Sequence, residues 1–406
     1  MNWKVLALCV GATICWLAVG AFPQSLGSVA TPQQLSACPT AGFAPGMTCY
    51  SATVSCPSTV DIPMVFGFYP GTPNPAIKGT IVLLPGEGGT NAGQDNEGLF
   101  ITGVSYDPLK TYPAAGYNVV ELAWGFALNN DLTDWIGMPW EDATNGCASN
   151  CNPPHNIQAA ACRPATFLKY IANHSNYHTT GTGMCAQGFS GGSGAVAYTM
   201  AWYGGTGFLD KVVLISGPVF SNIELGCEVP GPTQTSGVCS GNPPPSFCPS
   251  GNPGWNWAPY SYASGVVGAM KEFTGDQTCR GTATTSPQSD QNWLNMSIVE
   301  GNASFDYSST VLTGFSCGSL AGSGSMNNSS TQGWTFFNNP ITTFNSPTIP
   351  YYLYETINCT YDEGVYDTTG TATVPAINNE PGFNAILEDM TDSNKTQTQV
   401  CQSNPR

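Results

Sequence analysis

Charged residues are scarce in this 406-residue chain, and basic ones are the scarcest. Only 9% of the residues are charged, with ten Lys and Arg against 26 Asp and Glu, and the net charge is −16. Ten basic side chains cannot cover a phosphate backbone, so nucleic acid is not expected as a partner. The acidic composition fits an extracellular protein and says little more about function.

Histidine is also rare, with three residues in the whole chain, and no C-x-x-C pair occurs. Structural zinc sites usually draw on such paired cysteines or on clustered histidines. The sequence therefore predicts no metal site, and no cofactor is expected.

A single apolar run is long enough to interact with a membrane, and it lies at residues 5–21 after the start MNWK. A short basic start, an apolar stretch and the small residues Val19, Gly20 and Ala21 predict a secretory signal peptide over residues 1–21. A membrane anchor is the alternative, but the run is short for spanning a bilayer. We therefore expect no stable membrane insertion after cleavage, and a secreted, extracellular or periplasmic protein.

Fourteen cysteines remain outside the signal, which is typical of a disulfide framework in an exported protein. Their pairing does not follow from the sequence. Seven N-x-S/T sequons would accept glycans if the host glycosylates; they begin at Asn173, Asn295, Asn302, Asn327, Asn328, Asn358 and Asn394.

Uniformly apolar runs predict strands that are buried on both faces, as in a parallel sheet. The clearest are GTIVLL at 79–84, GYNVVEL at 116–122 and KVVLIS at 211–216, with IPYYLYETI at 349–357 late in the chain. Helical patterns at about 157–172 and at 382–391 alternate with these runs. Such alternation predicts an α/β fold with a mostly parallel central sheet flanked by helices.

One stretch combines a strand, a glycine-rich turn and a helix, and it reads TGMCAQGFSGGSGAVAYTMAW from residue 182. Its turn, Gly188-Phe189-Ser190-Gly191-Gly192, has the G-x-S-x-G pattern of a nucleophile elbow. The neighbouring glycines leave room for a sharp turn, and the N-terminus of the following helix favours negative charge at the serine. The alternative is an ordinary glycine-serine turn in a glycine-rich chain.

The domain organisation follows from these elements. We expect a signal peptide at 1–21, a disulfide-rich extension at 22–60, and a core built from 61–217 and 302–406. Residues 218–301 are rich in cysteine and proline and lack periodicity, so they are interpreted as a cap inserted into the core.

The chain resembles the α/β-hydrolases, and more narrowly their secreted serine esterases and lipases. The matching segments are IVLLPGEGG, MCAQGFSGGSGAVAYTMAWYG, LDKVVLISGP and PGFNAILEDM. The resemblance implies that Ser190 attacks a small-molecule or lipid-like ester and that Gly191 supplies one oxyanion-hole N–H. A second N–H would come from the loop containing Gly86, Glu87 and Gly88, which lacks the leading histidine of the HGGG pattern. The oligomeric state is not predicted.

The sequence departs from the family pattern at the catalytic histidine, because no histidine follows position 178. Asn378 and Asn379 occupy the loop before the last helix, where the family places its general base. Asn358 directly follows the late strand, and the nearest carboxylates are Asp362, Glu363 and Asp367, of which Asp362 is the candidate acid. A turn residue is the alternative interpretation of Asp362.

Each of the three histidines is a candidate for the general base, and the order of the predicted elements indicates which of them can lie near Ser190. His174 and His178 precede the elbow strand, so the length of that strand separates them from Ser190. His155 comes before a helix expected to begin at the edge of the sheet where Ser190 is exposed. His155 is therefore the candidate base. The candidate orienting carboxylates are Asp134, Glu141 and Asp142.

Two functions of different classes follow. The first is a secreted ester hydrolase with a weakened or unconventional base. The alternative is a catalytically inactive α/β-hydrolase-fold protein that binds a ligand or serves at the cell surface.

Overall fold

The computed structural model describes residues 24–39, 43, 45–57, 61–73, 76–85, 108–124, 161–189, 191–215, 310–317, 352–357, 376–377, 380–391 and 400–403. Within these residues the strands are β1 (Ser28–Val29), β2 (Gln33–Gln34), β3 (Thr48–Ser55), β4 (Ile62–Tyr69), β5 (Gly79–Leu84), β6 (Tyr117–Trp124), β7 (Gly183–Phe189), β8 (Lys211–Ile215), β9 (Val311–Cys317), β10 (Tyr352–Ile357), β11 (Ala376–Ile377) and β12 (Glu380–Pro381). The helices are α1 (Pro108–Ala114), α2 (Cys162–Asn173), α3 (Gly191–Trp202) and α4 (Gly382–Thr391).

Ten strands form one sheet in the order β1-β3-β4-β6-β5-β7-β8-β9-β10, and β2 also pairs with β3. Strands β5 to β10 all run in the same direction, whereas β4 runs antiparallel to β3 and β6. The parallel strands therefore end at one edge, called here the C-terminal edge, and begin at the opposite, N-terminal edge. This confirms the predicted class, an α/β-hydrolase-like fold with a mostly parallel central sheet.

The two faces of the sheet are covered by different helices. Ile81 and Leu83 of β5 pack in one cluster with residues of α1 and α4. Val82 and Leu84 pack in a second cluster with residues of α2 and α3. Because successive side chains of a strand point to opposite faces, covering both faces requires an uninterrupted apolar run. Every residue of β5 is accordingly buried.

The N-terminal segment 22–60 was expected outside the core, but its described part belongs to the sheet. Strand β3 pairs with β4 along its length, from Thr48↔Phe68 to Val54↔Ile62. The side chain of Val54 is fully buried in the same cluster as Val82 and Leu84 of β5. Two disulfides stabilise the segment: Cys38–Cys49 lies within it, and Cys56–Cys162 joins it to the first residue of α2.

Several elements differ from the sequence-based expectations. Helix α1 and strand β9 were not predicted, although β9 fills the gap between β8 and β10. Helix α4 has the predicted bounds. Helix α2 begins at Cys162, and residues 157–160 of the predicted helix lie outside the described residues, as does the predicted cap at 218–301.

The C-terminal part of the chain is held by a buried ion pair and a disulfide. Lys211 Nζ, on the first residue of β8, lies 2.8 Å from Asp389 Oδ2 on α4, and both side chains are buried. Burial lowers the pKa of Lys211, and the Asp389 carboxylate opposes that shift. Cys401 bonds to Cys185 of β7, and its N–H donates to Met390 O at 2.9 Å.

The described residues also bear on the compartment. No helix in this part of the chain has the length and apolar character needed to cross a bilayer. Three disulfides are typical of an oxidising environment rather than of the cytosol.

The Lys211–Asp389 pair yields a stability prediction. Replacing only Lys211 by Met leaves the buried Asp389 carboxylate without its ion-pair partner, so the free energy of unfolding should fall by about 3–5 kcal/mol. The double variant Lys211→Met with Asp389→Leu should lose less than Lys211→Met alone, because it leaves no unpaired charge. Chemical denaturation with the disulfides kept oxidised measures both. Equal losses in the single and double variants would contradict the prediction.

Candidate active site

The candidate nucleophile connects a central strand to a buried helix. Strand β7 ends at Phe189 and helix α3 begins at Gly191, so Ser190 is the whole connection between them. Ser190 itself lies outside the described residues. Because β7 is a central parallel strand, this connection occurs at the C-terminal edge, where open α/β sheets bind their ligands.

Two glycines permit this connection by allowing backbone to approach backbone. A Cβ atom on Gly188 would overlap Gly192 O and would lie 2.6 Å from Ser193 N. A Cβ atom on Gly192 would overlap Leu84 O and would lie 2.5 Å from Pro85 O. Side chains are therefore excluded at both positions, which is the steric requirement that the G-x-S-x-G pattern predicts.

The end of β5 is placed beside the first turn of α3 by the same contact. Pro85, the residue after β5, is buried against Gly192. Gly86, Glu87 and Gly88, which the resemblance assigns to the oxyanion hole, follow Pro85 and lie outside the described residues. The chain thus enters that segment next to Gly191, the other predicted donor.

The electrostatics of helix α3 suit an anion at its start. No acidic residue occurs in its first turn, so no carboxylate of its own offsets the positive N-terminal end. After Trp202 the chain reaches Gly204, whose left-handed backbone (φ 63°) ends the helix.

Polar side chains beneath the turn were missed by the sequence reasoning. Gln187, three residues before Ser190, is fully buried, and its Oε1 accepts a 2.6 Å hydrogen bond from the Tyr112 hydroxyl of α1. Glu121 of β6 is also fully buried, and Leu83 pairs with Glu121 on one side and Gln187 on the other. The sequence did contain a signal for these two residues, because Glu121 and Gln187 each lie within an otherwise apolar strand pattern. Such polar groups are rarely buried without a role.

Two histidines lie at the N-terminal edge, as their position before β7 predicts. His178 Nδ1 is 3.3 Å from Thr80 Oγ1, at the start of β5. His174 Nδ1 is 2.7 Å from Tyr170 O, at the end of α2. The length of β7, roughly 20 Å, separates that edge from the Ser190 connection, so neither histidine can take its proton directly.

His155 and its candidate orienting carboxylates, Asp134, Glu141 and Asp142, lie outside the described residues. The helix that follows His155 is nevertheless placed. Its first residue, Cys162, is bonded to Cys56, which directly follows β3. Because β3 runs in the same direction as β5 to β10, Cys56 lies at the C-terminal edge. The chain therefore enters α2 from the edge that carries Ser190.

The positions to which the resemblance assigns the acid and the base all lie outside the described residues: Asn358, Asp362, Asn378 and Asn379. The surrounding backbone is described. Strand β11 pairs with β12, with Ile377 opposite Glu380.

A metal site is not found in the described part of the chain, where no group of three or more His, Cys, Asp or Glu side chains could hold an ion.

Comparisons with known proteins find no matching protein-family model and no matching curated protein. Solved structures do match. A carboxylesterase from Lactobacillus plantarum WCFS1 is 11% identical, with a TM-score of 0.37 over 84% of this chain and 92% of that one. An acetyl xylan esterase from Paenibacillus sp. R4 is 9% identical, with a TM-score of 0.39 over 84% of each chain.

Acetyl xylan esterase 1 from Thermoanaerobacterium sp. JW/SL YS485 is 15% identical, with a TM-score of 0.29. That match covers 49% of this chain and 55% of the esterase, so it spans little more than half of that protein. At these identities and TM-scores the fold assignment rests on the strand order and register described above.

The glycine contacts predict a large effect of one added methyl group. Gly192→Ala should lower the free energy of unfolding by about 1–3 kcal/mol, because its Cβ must displace the backbone of Leu84 and Pro85. Gly207→Ala is the matched control, since a Cβ at that position would meet no neighbouring atom within 4 Å. Denaturant unfolding of both variants measures the difference. A Gly192→Ala variant as stable as Gly207→Ala would contradict the packing described here.

Proposed function

We propose that the protein is a secreted serine hydrolase of the esterase or lipase type, acting on a small-molecule or lipid-like ester through Ser190. The observation that carries the proposal is the one-residue connection between β7 and α3, packed through glycines against the end of β5. A signal-like segment at residues 1–21 and the disulfides support export.

The proposed reaction begins when Ser190 Oγ attacks the ester carbonyl while a general base takes the hydroxyl proton. The oxyanion of the tetrahedral intermediate accepts hydrogen bonds from the Gly191 N–H and from an N–H of the segment with Gly86, Glu87 and Gly88. The alcohol then leaves with the proton. Water, activated by the same base, hydrolyses the acyl-enzyme and regenerates Ser190.

His155 is proposed as the base and Asp362 as the acid. Support for His155 comes from the entry of α2 at the C-terminal edge and from the position of the other two histidines at the opposite edge. Support for Asp362 is its place after β10, a parallel strand that ends at the C-terminal edge.

A second function is favoured by one observation, the Asn378-Asn379 connection where the family's histidine is expected. Under this alternative the protein keeps the fold as a binding or cell-surface protein without turnover. The labelling experiment below separates the two functions.

Activity-based labelling tests the nucleophile. A fluorophosphonate probe should label the wild type and Ser193→Ala but not Ser190→Ala, and turnover of a p-nitrophenyl ester should follow the same pattern. Ser193 is a suitable control because it is a buried serine in the same helix turn. A folded wild type with neither labelling nor turnover would favour the binding function.

The base has a separate test. His155→Ala should lower kcat/KM by about 10²–10⁴-fold, the usual contribution of a general base, and should abolish the increase in rate with rising pH that a histidine base produces. His174→Ala, an exposed histidine at the opposite edge, should change neither. Equal rates and equal pH profiles for His155→Ala and the wild type would remove His155 from the mechanism.

A further inference from the structure

A groove lies between the N-terminal segment and helix α2, and it has no part in the proposed hydrolysis. Its volume is about 620 Å³, and its lining includes Ser28, Tyr50 of β3, and the end of α2 with the following turn to Tyr177. Ser28 pairs with Ser55, the last residue of β3, so that end of the groove lies toward the C-terminal edge. The carbonyl of Tyr177 accepts from Thr80 at the start of β5, so the aromatic end of the groove lies at the N-terminal edge. Strand β3 is four strands away from β7 in the sheet order, so the groove is separate from the Ser190 connection.

Aromatic rings form one wall of the groove. The rings of Tyr170 and His174 stack with centroids 3.7 Å apart, and His174 is exposed to solvent. Tyr50 is half-buried in the same lining, and its ring is in a T-shaped contact with that of Tyr177, with centroids 5.7 Å apart. The packing below the surface fixes these rings, so the groove has a pre-formed apolar wall.

The polar groups of the groove are mostly uncharged donors and acceptors. Asn173 and Asn176 are exposed amides on its rim, and the hydroxyl groups of Ser28 and Thr31 are exposed on the opposite side. No Asp or Glu lines the groove, although the chain has 26 of them. An amide offers both donors and acceptors, and a hydroxyl does the same.

The ionisable groups of the lining do not make it an anion site. Burial raises the pKa of Tyr170, and burial together with the neighbouring phenols raises the pKa of Tyr177, so both stay protonated at neutral pH. The Lys169 ammonium lies 4.8 Å above the ring of Phe208. The Nδ1–H of His174 donates to the Tyr170 carbonyl, so Nε2 is the ring nitrogen that can bond to a hydroxyl group of a ligand.

We propose that this groove binds neutral sugar residues. A pyranose presents C–H groups on one face and hydroxyl groups around its rim. Its C–H face fits the Tyr170–His174 wall, and its hydroxyl groups fit the amides of Asn173 and Asn176 and the Nε2 of His174. The rim also carries a sequon, Asn173-His174-Ser175, with its asparagine exposed.

The sugar can come from two sources. A glycan attached to Asn173 would reach the groove at high effective concentration, so weak contacts with the wall would suffice to hold it. A free saccharide would need no modification. The same groove chemistry serves both.

N,N′-diacetylchitobiose is the probe, since it is both the core of N-glycans and a free saccharide. Protein made in the bacterial periplasm, where Asn173 carries no glycan, should bind it by calorimetry, and the His174 ring signals should shift in NMR spectra. His174→Ala and Asn176→Ala should each weaken binding about fivefold to tenfold. Gln34→Ala, an exposed amide outside the groove, should bind as the wild type does. No binding, or equal binding by all variants, overturns the proposal.

Protein secreted from yeast distinguishes the sources. If mass spectrometry finds a glycan on Asn173 and chitobiose no longer binds, while Ser175→Ala restores binding, the attached glycan occupies the groove. If Asn173 is unmodified, or if the glycosylated protein still binds chitobiose, the site serves a free saccharide. Ester turnover should be unchanged throughout, because the groove lies beside β3, four strands across the sheet from β7 and the Ser190 connection.

Discussion

The contact between the first turn of α3 and the end of β5 is the constraint on which the candidate site depends. It is a backbone-to-backbone contact, possible only because Gly188 and Gly192 lack side chains. Strand β5 lies directly beside β7 in the sheet, so the two chain segments that leave them are neighbours at the C-terminal edge. Any side chain at Gly192 would separate the segment after Pro85 from the start of α3. The strand order brings Pro85 and the start of α3 together, and the glycines set how closely these two segments approach.

The opposite, N-terminal edge of the sheet carries two contacts that fix the C-terminal part of the chain. There the Cys185–Cys401 disulfide joins a central strand to the tail, and the Cys401 N–H bonds to the end of α4. The Lys211–Asp389 pair fixes the same helix to the first residue of β8. Because α4 begins just after the β11–β12 hairpin, these anchors also limit where that hairpin can lie. Two anchors of the C-terminal part of the chain thus lie at the N-terminal edge, whereas the Cys56–Cys162 disulfide lies at the C-terminal edge, where the chemistry of Ser190 is proposed.

The sequence predicted those parts of the fold whose physics is local. Strands buried on both faces, such as β5 and β8, are recognisable in the sequence as uninterrupted apolar runs. The turn at Ser190 requires glycines, and these are visible in the sequence. Strand β3 was missed because it is mostly half-buried and its TCYSATVS pattern depends on the partners β1, β2 and β4. The disulfide pairings and the Lys211–Asp389 pair are contacts between distant segments, which no local pattern encodes. Of the candidate site residues, only Gly191 lies among the described residues.

The register of the β11–β12 hairpin leaves two residues, Asn378 and Asn379, between Ile377 and Glu380. The resemblance to α/β-hydrolases implies a histidine before the last helix, and the sequence has no histidine after position 178. The proposed hydrolysis therefore needs a base from elsewhere in the chain. Helix α2 enters from the edge that carries Ser190, and with His174 and His178 held at the opposite edge, His155 is the remaining histidine in the sequence.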